Sequence, residues 1–200
     1  VSSNNSLYTH DVSGTDNTAE NNTAYGFSAL DAITTGDHNI AIGKESLSAN
    51  TTGASNISIG VQANFGADAE SHNLSIGQAA LGSSVAGGEY NVAIGNLSLD
   101  ALTAASNNVA VGYGAGGAIN TGGNNTIMGY IAGADMTDDT NNVVIGYRAG
   151  SALTDSSNVI IGSDAARQGT THSANVIIGM NAAANGVVTG DNNVVIGKDA

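Results

Sequence analysis

Asp135, Asp138 and Asp139 fall in one short stretch, and Asp155 follows a repeat later. Hard oxygen donors this close together could hold Ca²⁺. The Gly-Gly-x-Gly-x-Asp repeat of calcium-binding β-rolls is absent, however, and the same residues read as an acidic, solvated loop. The four histidines are His10, His38, His72 and His172. His38 and His72 share a column two repeats apart, about 10 Å at strand spacing, which is too far to share a metal ion. Gly112 to Gly117 reads Gly-Tyr-Gly-Ala-Gly-Gly, a superficial phosphate-loop pattern, but no Lys-Ser/Thr follows and no helix is expected after it. Asn-x-Ser/Thr sequons occur at Asn56 and Asn73, both inside a repeating asparagine column that gives them a structural use. Tyr113, Tyr130 and Tyr147 occupy one column in three successive repeats. An exposed stripe of that kind could stack on a sugar or a receptor, or the rings could stack on each other and tie neighbouring strands. No Ser-His-Asp set or paired carboxylates rise above the periodic background, so no catalytic residue, cofactor or metal is expected and the chain reads as non-enzymatic.

The elements that would carry these residues are set by a repeat. Gly26, Gly43, Gly60, Gly77, Gly95, Gly112, Gly129, Gly146, Gly162, Gly179 and Gly197 follow one another at steps of 16 to 18 residues, most often 17. Each glycine has an asparagine four residues before it: Asn22, Asn39, Asn56, Asn73, Asn91, Asn108, Asn125, Asn142, Asn158, Asn175 and Asn193. A period this short and regular predicts a solenoid, each repeat one coil stacked on the last. Residues 1–21 read as a degenerate N-terminal repeat, with Ser6-Leu7-Tyr8-Thr9 as a decayed copy. Residues 22–200 read as one continuous repeat domain, a segment of a longer fibre.

Composition narrows the partners. The formal charge is −13, with only 4 Lys+Arg against 17 Asp+Glu. Such a surface repels nucleic-acid phosphates and anionic membranes, so neither is expected as a partner. With no Cys there is no disulfide framework and no thiolate metal site. No apolar run is long enough to span a bilayer. Pro is also absent, as suits a stack in which most N–H groups bond to the next coil.

With the glycine as position zero, positions −3 and −1 are apolar, as in Ile40/Ile42, Val92/Ile94 and Val176/Ile178. Alternating β-branched residues bounded by Asn and Gly predict a short strand with one buried face. Position +3 is Ala or Ser throughout, which implies close approach of another backbone. A second short strand is expected from about +2 to +8, followed by polar turns such as Thr35-Gly36-Asp37. Together they describe an all-β, parallel β-roll of about eleven coils, roughly 50 Å long at strand spacing. Stacked Asn amides should bond to the coils above and below, as in cross-β Asn ladders. The residues of this structural ladder are Asn39, Asn56, Asn73, Asn91, Asn108, Asn125, Asn142, Asn158, Asn175 and Asn193, with Gly43, Gly60, Gly77, Gly95, Gly112, Gly129 and Gly146 turning the corner where φ is positive or a Cβ would clash.

Two columns exchange volume. Position −2 is small early (Ala24, Ala41, Ser58, Ser75, Ala93, Ala110) and large later (Ile127, Val144, Ile160, Ile177, Val195). Position +4 does the reverse: Leu30, Leu47, Leu81 and Leu99, with Asn64 the exception, then Gly116, Gly133, Gly150, Ala166 and Ala183. Reciprocal volumes imply one shared compartment at constant density. Position −2 points opposite to −3 and −1, so the strand is expected to be buried on both faces. One face is the inside of the roll; the other needs a partner, for which a second copy of the chain is the simplest choice.

These columns resemble the head repeat of the trimeric autotransporter adhesins, the YadA-like β-roll. The matching segments are Asn39-Ile40-Ala41-Ile42-Gly43, Asn91-Val92-Ala93-Ile94-Gly95 and Asn108-Val109-Ala110-Val111-Gly112. The stretch from Asn22 to Leu30 is also similar to repeats of phage and bacterial tail-fibre-like proteins. The resemblance implies a homotrimer of left-handed parallel rolls, extracellular on a cell surface or virion, used for attachment to a host-surface glycan or matrix protein. The 17-residue period is longer than that family's usual repeat, so each coil here carries a longer loop. A virion tail-fibre shaft and a monomeric ice- or ligand-binding β-solenoid are the alternatives.

Overall fold

A computed structural model describes residues 7–8, 18–83, 87–168, 172–185 and 188–200. Ser6, Thr9 and His10 lie outside them. The sheet runs in chain order through β1 (Leu7–Tyr8), β2 (Thr23–Tyr25), β3 (Ile40–Ile42), β4 (Ile57–Ile59), β5 (Leu74–Ile76), β6 (Val92–Ile94), β7 (Val109–Val111), β8 (Thr126–Met128), β9 (Val143–Ile145), β10 (Val159–Ile161), β11 (Val176–Ile178) and β12 (Val194–Ile196). Each strand pairs in parallel only with its chain neighbours, forming one 12-stranded sheet. The register follows the repeat: Ile40 lies beside Ile57, Ala41 beside Ser58 and Ile42 beside Ile59. β1 pairs with β2, placing Leu7 opposite Thr23. The molecule is a parallel β-solenoid with a 17-residue period.

Steps of 16 and 18 residues leave the strand register intact, because the turns absorb the difference. Val143 pairs with Val159, and Leu74 with Val92. The ladder also continues outside the strands. Leu30 N–H donates to the Ser46 carbonyl at 3.0 Å, and Glu45 N–H to the Phe27 carbonyl at 2.8 Å. The inter-coil bonds thus satisfy turn backbone as well as strand backbone.

Two expectations are corrected. The stretch after the glycine is not a second strand but a run of turns. Its cause is backbone handedness. Positions +2 and +4 both take left-handed φ, for example Glu45 at 59° and Leu47 at 49°, and alternation of that kind cannot continue an extended strand. The other correction concerns which strand face lies inside. Position −2 is the inward one: Ala41, Ser58, Ile127, Val144, Ile160 and Ile177 are fully buried. Positions −3 and −1 face outward and are half-buried or exposed, as in the intermediate–buried–exposed pattern of Ile40–Ile42. Positions −2 and +4 therefore fill the roll and line no face available to a partner.

The volume exchange takes place in that interior. A Cβ on Gly150 would lie 3.2 Å from both Ile160 Cδ1 and Val144 Cγ1, and one on Gly116 would lie 3.0 Å from Ile127 Cδ1. Large residues at −2 occupy the space that Leu30, Leu47, Leu81 and Leu99 fill in the earlier coils, so the two columns share one compartment. A further interior column went unread in the sequence. Ile33, Leu102, Ile119, Met136 and Leu153, all at position +7, are fully buried, and Ile119 Cδ1, like Ile127 Cδ1, would lie 3.0 Å from a Cβ on Gly116.

Candidate functional site

The surface feature with the greatest reach is the outward face of the sheet. From β2 to β12, positions −3 and −1 present Ile, Val, Leu or Met in nearly every coil, with Tyr25 and the threonines Thr23 and Thr126 as the exceptions. The side chains are partly covered by their own neighbours along the ladder, yet Ile42 and Ile57 remain 36% and 37% exposed and Met128 41%. Single exposed aliphatics are ordinary, whereas here they line up into an apolar stripe along the whole sheet, interrupted at Thr23 and Thr126. Period 2 and parallel in-register pairing produce it: any residue type repeated in the sequence becomes a column on one face.

The asparagine column lies buried beside this face. The Oδ1 of each asparagine accepts the backbone N–H of the next, at 2.7 Å from Asn39 to Asn22, 2.9 Å from Asn56 to Asn39 and 3.0 Å from Asn125 to Asn108. The Nδ2 group donates to a turn carbonyl of the following coil: Asn39 to Gly53, Asn56 to Glu70, Asn108 to Gly122. The principal link is therefore side chain to backbone, and amide-to-amide contacts are secondary, as from Asn108 Nδ2 to Asn91 Oδ1 at 3.2 Å. From Asn158 onward the donor turns back onto its own coil, to the carbonyls of Asp155, His172 and Gly190. At Asn142, just before the 16-residue step, Nδ2 is buried without a partner. Asn56 and Asn73 are 0% and 2% exposed, so their sequons are closed to glycosylation.

The tyrosine column is a stack. Ring centroids are 5.4 Å apart for Tyr113–Tyr130 and 5.5 Å for Tyr130–Tyr147, with interplanar angles of 15° and 12°. The facing sides of neighbouring rings cover one another, while each tyrosine stays about half exposed. His72 and Tyr90 stack in the same way at 5.0 Å. The glycines of the Gly112–Gly117 stretch are in register with the coils, and the N–H groups of Gly112, Gly114, Gly116 and Gly117 all donate to backbone carbonyls, leaving none of them for an anion. Among the described residues no group of three His, Asp or Glu is placed to hold a metal ion.

Within the acidic stretch, one carboxylate is taken into the fold. Asp139 is buried, and its Oδ2 accepts the Thr137 N–H at 3.1 Å. Burial raises its carboxyl pKa above the ordinary aspartate value, the Thr137 bond opposes the rise, and the charges of Asp138 and Asp155 add to it. The folded chain therefore holds this proton more tightly than the unfolded chain, so the residue opposes folding at neutral pH and ceases to do so as pH falls through the aspartate range. Asp139→Asn is expected to raise the melting temperature at pH 7 and to change it little near about pH 3, below the ordinary aspartate pKa, where the carboxyl is largely protonated in the folded and the unfolded chain. Thermal scans at the two pH values check this.

The four basic residues are spoken for as well. Lys44, Arg148, Arg167 and Lys198 each lie 3.3 to 3.7 Å from a carboxylate, and Arg148 and Arg167 share Asp164. No helix among the described residues is long and apolar enough to cross a membrane. Comparison of the chain with protein-family models, with curated proteins and with solved structures returns no match.

Proposed function

We propose that this chain is the repeat segment of an extracellular attachment fibre on a cell surface or virion, in which three copies pack the outward faces of their sheets together. The observation that carries the reading is the apolar stripe at positions −3 and −1, which runs the length of the sheet and is interrupted at Thr23 and Thr126. Its columns resemble the repeat pattern of trimeric adhesin heads, and that resemblance implies left-handed rolls. The fibre's role is structural and adhesive rather than enzymatic. Its binding partner is a host-surface glycan or matrix protein held by many weak contacts, since a uniform repeat offers the same surface over and over.

Light scattering on a sizing column tests the assembly. A trimer runs at three times 19.6 kDa. Ile94→Asp then places a carboxylate at the middle of the stripe, on the outward face of β6, where an unpaired charge cannot be buried cheaply. The expected result is a shift to the monomer mass with the β-sheet circular dichroism kept. A wild-type chain that runs as a well-folded monomer overturns the trimeric fibre and favours a solitary ligand-binding solenoid.

A further inference from the structure

Among the described residues the apolar interior falls into two clusters. One apolar cluster includes Ala24, Leu30, Ile33, Ala41, Leu47 and Ala67; a second extends from Ala80 and Leu81 to Ile177 and Ala182. Between Leu47 and Leu81 the +4 column carries Asn64, which is fully buried and has no hydrogen-bond partner at either Nδ2 or Oδ1. The −2 residues on either side are Ser58 and Ser75, which bond to each other at 2.8 Å, and position +7 of the same coil is only Ala67. Three interior columns thus turn polar or small together. The Asn64 backbone gives part of the reason. Its φ is 47°, and Asn tolerates the left-handed region better than Leu does. That preference does not satisfy the amide, which in this interior forgoes every hydrogen bond it would make to water.

We propose that the coil from Gly60 to Gly77 is a built-in seam: the solenoid opens there first, water reaches Asn64, Ser58 and Ser75, and the flanking segments behave as two cooperative units. In a one-dimensional stack each coil is held only by its neighbours, so one weak interface sets where the structure divides. Opening exposes little apolar surface at this coil and supplies the missing partners to the Asn64 amide, whereas opening at Ile127 or Ile160 would expose a packed core. The seam depends on the interior of a single chain and holds whether the chain is a trimer or a monomer.

Hydrogen exchange on the whole chain provides the test. Amides of residues 57–76 are expected to exchange at least about tenfold faster than those of 109–128 under native conditions. Asn64→Leu restores the residue that the same column holds at Leu30, Leu47, Leu81 and Leu99. It should bring exchange down to the level of the flanking coils and raise the melting temperature by about 5–10 °C. Asn64→Gly suits the positive φ and removes the amide without adding bulk, and is expected to act in the same direction with a smaller shift. Uniform exchange along the solenoid, or lower melting temperatures for both variants, would overturn the seam.

Discussion

Gly112→Ala is expected to cost about 4 kcal/mol or more, placing it among the most damaging single substitutions available to this fold. Gly112 has φ +137°, a region that L-residues with a side chain rarely enter. An added Cβ would stand 2.3 Å from the Gly129 carbonyl oxygen and 2.7 Å from its carbon. Those atoms are backbone, so no rotamer change relieves the contact. The next coil would have to move away, and β7 would lose its register with β8. The same contact recurs along the column, for example from Gly43 to Gly60 at 2.5 Å, so moving one coil passes the misfit to its neighbour. Urea unfolding of the variant against the wild type measures the loss. A cost below about 1 kcal/mol, the scale of an ordinary surface change, would mean the corner can relax and that the glycine column has another cause.

Asn108→Asp comes next in expected effect, and it depends on pH. The wild-type Asn108 side chain accepts the Asn125 N–H through Oδ1 and donates through Nδ2 to the Gly122 carbonyl at 3.0 Å, with no exposure to solvent. An aspartate keeps the acceptor but sets a carboxylate oxygen against that carbonyl and near Asn91 Oδ1, the other oxygen within reach of Nδ2. Burial and two facing acceptors disfavour the charged form, so the new carboxyl takes a pKa above the aspartate norm. The folded state then holds its proton more tightly than the unfolded state, and the penalty is full at neutral pH and relieved as pH falls. A loss of about 3 kcal/mol or more at pH 7 is expected, on the scale of breaking a buried polar pair, with partial recovery near about pH 4. Chemical denaturation at both pH values measures it. Equal destabilisation at the two values would show that ladder geometry, rather than charge, governs the column.

Much of this architecture was legible in the residues. The Asn and Gly columns gave the coil and its period. The three strand positions between them gave each strand its length, and the opposed sizes at −2 and +4 disclosed a shared compartment. The strand's orientation was not legible, because its two faces are both apolar: Ile127 or Ile160 at −2 is as hydrophobic as the Ile and Val that flank it. The false second strand came from reading Leu30 and Leu47 as extended when their φ values are 57° and 49°. Gly114 and Gly116, two residues apart at the same positions of a later coil, were the available sign that left-handed backbone was required there. The +7 column could have been read from Leu102, Ile119, Met136 and Leu153, but the substitutions Asn50 and Ala67 blur it in the early coils. Asn64 is visible in the sequence as an exception. Its lack of partners is a property of the packed interior and has no sequence signature.

The loop segments absorb steps of 16, 17 and 18 residues while every strand keeps the same register. Each coil meets only the one before and the one after, through the same set of columns. Excising a whole repeat therefore joins two surfaces that already match, whereas losing a residue between Asn and Gly takes that coil's strand out of the columns, since no loop lies there to absorb it. Unequal exchange between gene segments encoding such repeats would lengthen or shorten the rod in increments of about 4.8 Å per coil. Reach can then vary between lineages without the invention of a new contact.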